Sequence, residues 1–254
     1  MLRTLFAGAV LSVMTILLAP IAVAAHVLRI DERSHRVQQW CMRTWARSVC
    51  WGAGVTLELH GEEHIVADRG TVYASNHVSF FDIFAIAALL PRYTFVAKAE
   101  LRRIPIFGWG AEGAGVVFLA RENRKMAFEA YAQVAEKVRR GLSVIVYPEG
   151  TRGDDYRLGP FKKGPFVLAI AAGAPVIPVV VYGTREVIAK EPRVRSGTVH
   201  VHLLPPVETV GYDYDHRHEL MQVVWSRMAE TLRAQYGVES GELGDASNRV
   251  ARSA

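Results

Sequence analysis

The chain has 254 residues, half of them hydrophobic, with 30 Lys and Arg against 25 Asp and Glu for a net charge of +5. That length and apolar content support one sizeable folded domain rather than a disordered or repetitive chain, and the moderate positive charge suits anionic lipid or phosphorylated ligands. No arginine-rich run or nucleic-acid module is present, so nucleic acid is not expected as a partner.

From Leu5 to Leu28 the sequence is almost wholly apolar, long enough for roughly 30 Å of hydrocarbon, with Pro20 inside it. Arg3, the apolar run and Ala22-Val-Ala24 would also suit a cleavable signal peptide. Only Arg3 precedes the run, whereas Arg29, Arg33, Arg36, Arg43 and Arg47 follow it. This positive-inside bias favours an uncleaved anchor with the body of the protein on the cytoplasmic side of a bacterial-type inner membrane. Residues 34–54 mix Trp40, Trp45 and Trp51 with arginines, the pattern of an amphipathic helix at a membrane interface or packed on the domain. The two cysteines, Cys41 and Cys50, would lie ~13 Å apart on opposite faces of such a helix. A disulfide needs Cα atoms within about 7 Å, so both thiols are expected to be reduced.

Beyond this helix, Val55–His60 alternates as a half-buried strand, and 71–74, 94–97 and 115–119 read as short strands. Phe80–Leu90, Lys125–Arg140 and Lys163–Ala172 read as helices, and Ser143–Tyr147 and Val176–Tyr182 as buried strands, with Pro178 suggesting an edge or an end. A strand over 197–204 and a helix over 213–236 follow, the latter carrying a core stripe of Leu220, Val223, Val224, Met228 and Leu232. The expected architecture is α/β: a largely buried mixed sheet covered by helices on both faces, preceded by a membrane-anchoring helix. The divisions are 1–54 for the anchor and interfacial helix, 55–236 for the catalytic domain and 237–254 for a polar tail.

Two short segments carry the chemistry. His77 falls in the turn between a strand and a helix, and Asp82 in that helix's first turn can reach back to orient the imidazole as a general base. Each residue alone is equally at home as a structural histidine and a helix N-terminal carboxylate. Ser79 suits a helix N-cap better than a nucleophile. Tyr147-Pro-Glu-Gly-Thr-Arg152 offers an arginine on a glycine turn leaving a buried strand, suited to clamping a phosphate unless Glu149 ties Arg152 in a structural salt bridge. His200 and His202 share a strand face, and His216 and His218 lie near a helix start. These pairs read as incidental, and no metal site is expected.

Asn76-His77 with Asp82 resembles the histidine–x4–aspartate motif of the glycerolipid acyltransferases, the 1-acyl-sn-glycerol-3-phosphate acyltransferase family. Four further blocks follow in that family's order: Lys98-Ala-Glu-Leu101 with Ile104-Pro105 and Gly108-Trp109, then Gly115–Arg121, Pro148–Arg152 with Phe161–Gly164 downstream, and Val176–Val179. Where the family often has isoleucine, aspartate or glutamate before the second motif's arginine, this chain has Leu119-Ala120.

The resemblance covers about 71–182. It implies transfer of a fatty acyl group from a thioester of coenzyme A or acyl carrier protein to a lysophospholipid hydroxyl, with no cofactor and no covalent acyl-enzyme. His77 would be the base and Asp82 its orienter. Lys98, Arg121 and Arg152 would bind the acceptor phosphate, and Glu149, Gly150 and Thr151 would shape that pocket. The expected reaction converts lysophosphatidate to phosphatidate at the membrane. The alternatives are another acceptor such as a lyso-ornithine lipid, or an exported hydrolase in which His77 and Asp82 serve Ser79.

Overall fold

The computed structural model describes residues 1–30, 35–120, 124–189 and 193–243. Seven strands form one sheet: β1 (Val55–His60), β2 (Val72–Ser75), β3 (Tyr93–Lys98), β4 (Val117–Leu119), β5 (Ser143–Val146), β6 (Val176–Tyr182) and β7 (Gly197–Leu203). Their order is β1-β7-β6-β2-β5-β3-β4. Strands β2 to β6 run parallel to one another, while β7 is antiparallel to β6 and carries β1 parallel to itself. The sheet is mixed, as the sequence predicts.

The central strands read as continuous apolar runs because both their faces are covered. In β5, Val144 and Val146 join one core while Ile145 joins the other. Helices α5 (Arg124–Arg139), α6 (Gly164–Ala172) and α8 (Arg217–Tyr236) cover the first face. On the second lie α2 (Arg36–Ala53) and α3 (Asp82–Leu89), flanked by α1 (Leu2–Val27) and α4 (Phe107–Gly113). A short helix, α7 (Thr184–Val187), follows β6.

Of the edge or end that Pro178 suggests, the edge does not hold, because β6 is an interior strand; Pro178 lies at the end of the pairing with β7. It sits where β7 is running out, and its carbonyl still accepts from Leu204 N–H at 2.9 Å. Only the reciprocal donor is lost, so proline is tolerated there. Two helices start later than the sequence predicts, at Asp82 rather than Phe80 and at Arg217 rather than Asp213. Ser79 Oγ accepts from Phe81 N–H at 3.1 Å, forming a turn before α3. The Asp213 carboxylate accepts from Asp215 and His216 N–H, holding an Asx turn ahead of α8.

Helix α1 is docked rather than free. Its small residues Ala7, Ala19, Ala22 and Ala25 are buried, while Leu5, Phe6, Val13, Ile16, Leu17 and Ile21 are exposed along the other face. A Cβ on Gly110 would come within 2.5 Å of Ala19 Cβ, and one on Gly113 within 2.8 Å of Val23, so α4 approaches α1 through glycines. Near its start, Thr4 Oγ1 accepts from Val194 N–H at 3.1 Å; at mid-helix Thr15 Oγ1 accepts from Trp45 Nε1–H at 2.9 Å. Cys41 and Cys50 are free and buried. Burial pushes the Cys50 thiol up to about 12, which removes it as a nucleophile.

Candidate active site

The parallel strands bring their C-terminal ends to one side of the sheet, where a functional crevice is expected in α/β folds. Asn76 continues β2 by side chain: its amide donates to Val181 C=O at 3.0 Å and accepts from Val181 N–H at 2.7 Å. The next residue, His77, is thereby set at the mouth of the sheet. Its Nδ1 lies 2.7 Å from Asp82 Oδ2, which also accepts from Val78 and Ser79 N–H at 2.8 and 2.9 Å. Asp82 Oδ1 accepts the Thr184 hydroxyl. The carboxylate is fully buried, and its acceptor oxygens assign the proton to Nδ1 of the neutral ring. Nε2 is left with its lone pair, the state a general base needs.

The third motif locks onto this histidine. Glu149 Oε1 accepts from His77 N–H and Oε2 from Gly159 N–H, each at 3.0 Å, while Gly153 N–H donates to His77 C=O at 2.7 Å. Gly150 has φ +78°, a left-handed conformation that glycine adopts without strain and that turns the loop back toward His77. Glu149 is committed to those two amides rather than turned into the cavity or paired with Arg152, so its part in the site is to hold the His77 backbone. Burial raises its pKa, and the Gly159 and His77 amides offset part of that rise.

Beneath the imidazole lies Tyr147, its ring stacked at 4.0 Å and 20°. The Tyr147 hydroxyl is buried with no hydrogen-bond partner among the described residues. Burial pushes its pKa well above the ordinary value, and Asp82 and Tyr93 nearby push it further.

His77 opens into a cavity of about 840 Å³, within the range of sites for small ligands. Its polar lining includes Lys98, Gly150, Thr151 and Arg152, and its apolar walls include Leu18, Met42, Trp45, Phe95 and Phe107, with α1, α2 and α4 contributing. Arg152 is exposed. Arg121 lies outside the described residues. A separate cleft of about 570 Å³, lined by Arg36, Arg43, Arg47 and Arg92, holds none of the motif residues and lies toward the opposite ends of the strands.

The arrangement disfavours a serine nucleophile. Ser79 Oγ donates to Ile188 C=O at 2.9 Å while accepting from Phe81 N–H, and makes no bond to His77. The sequence reading places Tyr147 in the third motif without a role and does not reach Thr184 or Tyr156. Tyr156 Oη accepts from Gly183 and Arg185 N–H and donates to Glu186, which fixes the turn that presents Thr184 to Asp82. Only the order of the strands brings that turn beside α3.

Fold and site together define an α/β protein built around a carboxylate-backed histidine at the mouth of an apolar cavity. A family model described as Acyltransferase matches residues 56–182. The chain is 32% identical over 83% of its length to the 1-acyl-sn-glycerol-3-phosphate acyltransferase of Saccharomyces cerevisiae, covering 71% of that protein. It is 34% identical over 78% of its length to the chloroplastic 1-acyl-sn-glycerol-3-phosphate acyltransferase BAT2 of Brassica napus, but spans only 59% of that longer protein. The crystal structure of the 1-acyl-sn-glycerophosphate (LPA) acyltransferase PlsC from Thermotoga maritima superposes with a TM-score of 0.77 at 28% identity, covering 92% of this chain and 96% of that one. The chain belongs to the acyltransferase family.

Proposed function

We propose that the protein transfers a fatty acyl group from an acyl thioester, of coenzyme A or acyl carrier protein, to the free hydroxyl of lysophosphatidate, giving phosphatidate. The observation that carries this reading is the pairing of His77 with buried Asp82, which leaves Nε2 open to a cavity with largely apolar walls that also carry Lys98 and Arg152. Similarity to proteins named as 1-acyl-sn-glycerol-3-phosphate acyltransferases supports the choice of acceptor.

In this mechanism His77 Nε2 removes the proton of the acceptor hydroxyl as the oxygen attacks the thioester carbonyl carbon. The tetrahedral state collapses with cleavage of the C–S bond, and the departing thiolate takes the proton from the imidazolium. Asp82 keeps the tautomer and stabilises the imidazolium, an assistance worth about 10²–10⁴-fold. Lys98, Arg121 and Arg152 bind the acceptor phosphate, Gly150 and Thr151 shape its pocket, and the apolar walls take acyl chain. The thioester is already activated, so the scheme calls for no acyl-enzyme, metal or cofactor.

The catalytic domain works at a cytoplasm-facing membrane surface. Helix α1 is long and apolar enough to cross a bilayer, yet it meets the domain near both its ends, through Thr4 and Val23. A helix held so along its length suits immersion of its exposed apolar face in one leaflet, with Trp109, Trp51 and Trp40 exposed around it. A lysolipid could then present its head group to His77 with its tail still in the bilayer.

The test is acceptor competition. Lysophosphatidate and lyso-ornithine lipid are offered together with acyl-coenzyme A, and the products are weighed by mass spectrometry. Phosphatidate as the main product supports the reading; acylated ornithine lipid alone would move the protein to the alternative acceptor.

A further inference from the structure

A cluster on the β1–β7 edge of the sheet carries chemistry that acyl transfer does not use. Strands β1 and β7 pair in parallel with Glu58 opposite His200 and His60 opposite His202. Side chains alternate along a strand, so these four project from one face while Leu57, Leu59, Val199 and Val201 pack into the core on the other. The sequence reading grouped His200 with His202 alone, because Glu58 and His60 join them only through the strand order.

Three donor atoms converge there. His60 Nε2 is 3.3 Å from His200 Nδ1, His200 Nδ1 is 3.1 Å from Glu58 Oε2, and His60 Nε2 is 3.9 Å from that same oxygen. A tetrahedral ion with ligand bonds of 2.0–2.1 Å has donor–donor edges of about 3.3–3.4 Å, which these distances bracket. Hydrogen bonding alone accounts poorly for the grouping. A ring nitrogen offers one in-plane proton or one lone pair, and His200 Nδ1 has two partners. A cation between the three atoms would use all of them.

The surroundings favour a held ion. His202 stacks on the His60 ring at 4.3 Å and 14° and bonds the Tyr236 hydroxyl at 2.6 Å, which braces His60 from behind. Glu58, His60 and His200 are 47%, 43% and 30% exposed in their side chains, leaving the outer side open to water.

We propose that Glu58, His60 and His200 form a binding site for a borderline divalent metal ion of the zinc class, with water completing its coordination. Two imidazoles and one carboxylate are the donors such ions prefer over magnesium or calcium. None of the three residues lines the catalytic cavity. The ion would tie β1, an edge strand, to its neighbour β7. Its role is therefore structural and independent of the acyl-transfer reading.

The test uses the tag-free, metal-stripped, full-length protein in detergent, titrated calorimetrically with zinc chloride, with thermal unfolding followed in parallel. Wild type is expected to bind a single equivalent and to gain in unfolding midpoint. His200→Ala and the shape-conserving Glu58→Gln should each weaken binding at least about tenfold, the loss that even outer-sphere partners impose. His77→Ala should bind as wild type does. Absence of stoichiometric binding to the wild type would overturn the proposal. So would wild-type affinity in either Glu58→Gln or His200→Ala, or loss of binding in His77→Ala.

Discussion

The Thr184 hydroxyl donates to Oδ1 of Asp82, the carboxylate whose other oxygen holds His77. This bond links the turn after β6 to the first turn of α3, and it fixes the rotation of a carboxylate with no access to water. Without it, Asp82 keeps its three bonds to Oδ2 but loses its hydrogen-bond partner on Oδ1 among the described residues. Thr184→Val should therefore lower kcat by about ten- to a hundredfold, leave the acceptor KM near its wild-type value, and be rescued by Thr184→Ser. Steady-state kinetics of the three proteins check this. A raised KM with unchanged kcat would assign Thr184 to binding instead.

Tyr147 leads to a prediction of opposite sign. Its ring supports the imidazole, but its hydroxyl is buried without a partner among the described residues. An unsatisfied buried hydroxyl costs on the order of 1 kcal/mol. Tyr147→Phe keeps the stack and removes that cost, so it should raise Tm by about 2–4 °C with turnover preserved. Calorimetry beside an activity assay reads both quantities; a lower Tm would mean that the hydroxyl has a partner in solution.

Glu149 should make stability depend on pH. Burial raises its pKa above the ordinary 4.5, so the folded state holds its proton more tightly than the unfolded chain does. Its stabilising contribution is thus complete below about pH 4.5 and is lost as pH rises through the raised folded value. Glu149→Gln cannot titrate and accepts only one of the two amides, which makes it less stable than wild type in acid. The Tm gap between the two proteins should narrow as pH rises from about 4.5 toward neutrality. A gap that widens over that range would contradict the assignment.

Arg152 tests the cationic lining of the cavity. Arg152→Ala should raise the KM for lysophosphatidate by about tenfold or more, the scale of a charge-assisted hydrogen bond, with kcat changed far less. An acceptor without the phosphate should be indifferent to the substitution. Equal losses on both acceptors would remove Arg152 from phosphate recognition.

What the sequence discloses follows the distance over which each feature is built. The His77–Asp82 pair is legible because five positions of chain close it, and the strands are legible because buried parallel strands are continuously apolar. Glu149 is visible as part of a motif, but its partners are not, since His77 N–H lies 72 positions away. Thr184 reaches Asp82 across 102 positions and sits in no patterned segment. Pro178 suggested an edge because composition cannot register that the neighbouring β7 runs out beside it. The docking of α1 rests on glycines in α4, whose meaning appears only once the two helices touch.

The central claim is that His77 is the base of an acyl transfer to lysophosphatidate. It is tested most directly by thiol release from acyl-coenzyme A by purified, detergent-solubilised protein, with and without lysophosphatidate, in wild type and His77→Ala side by side. The account predicts release that requires the acceptor, yields phosphatidate by mass spectrometry, and falls by at least about a hundredfold in a variant that remains folded. Undiminished acceptor-dependent release by His77→Ala would contradict it, and release by the wild type without acceptor would point instead to hydrolysis of the thioester.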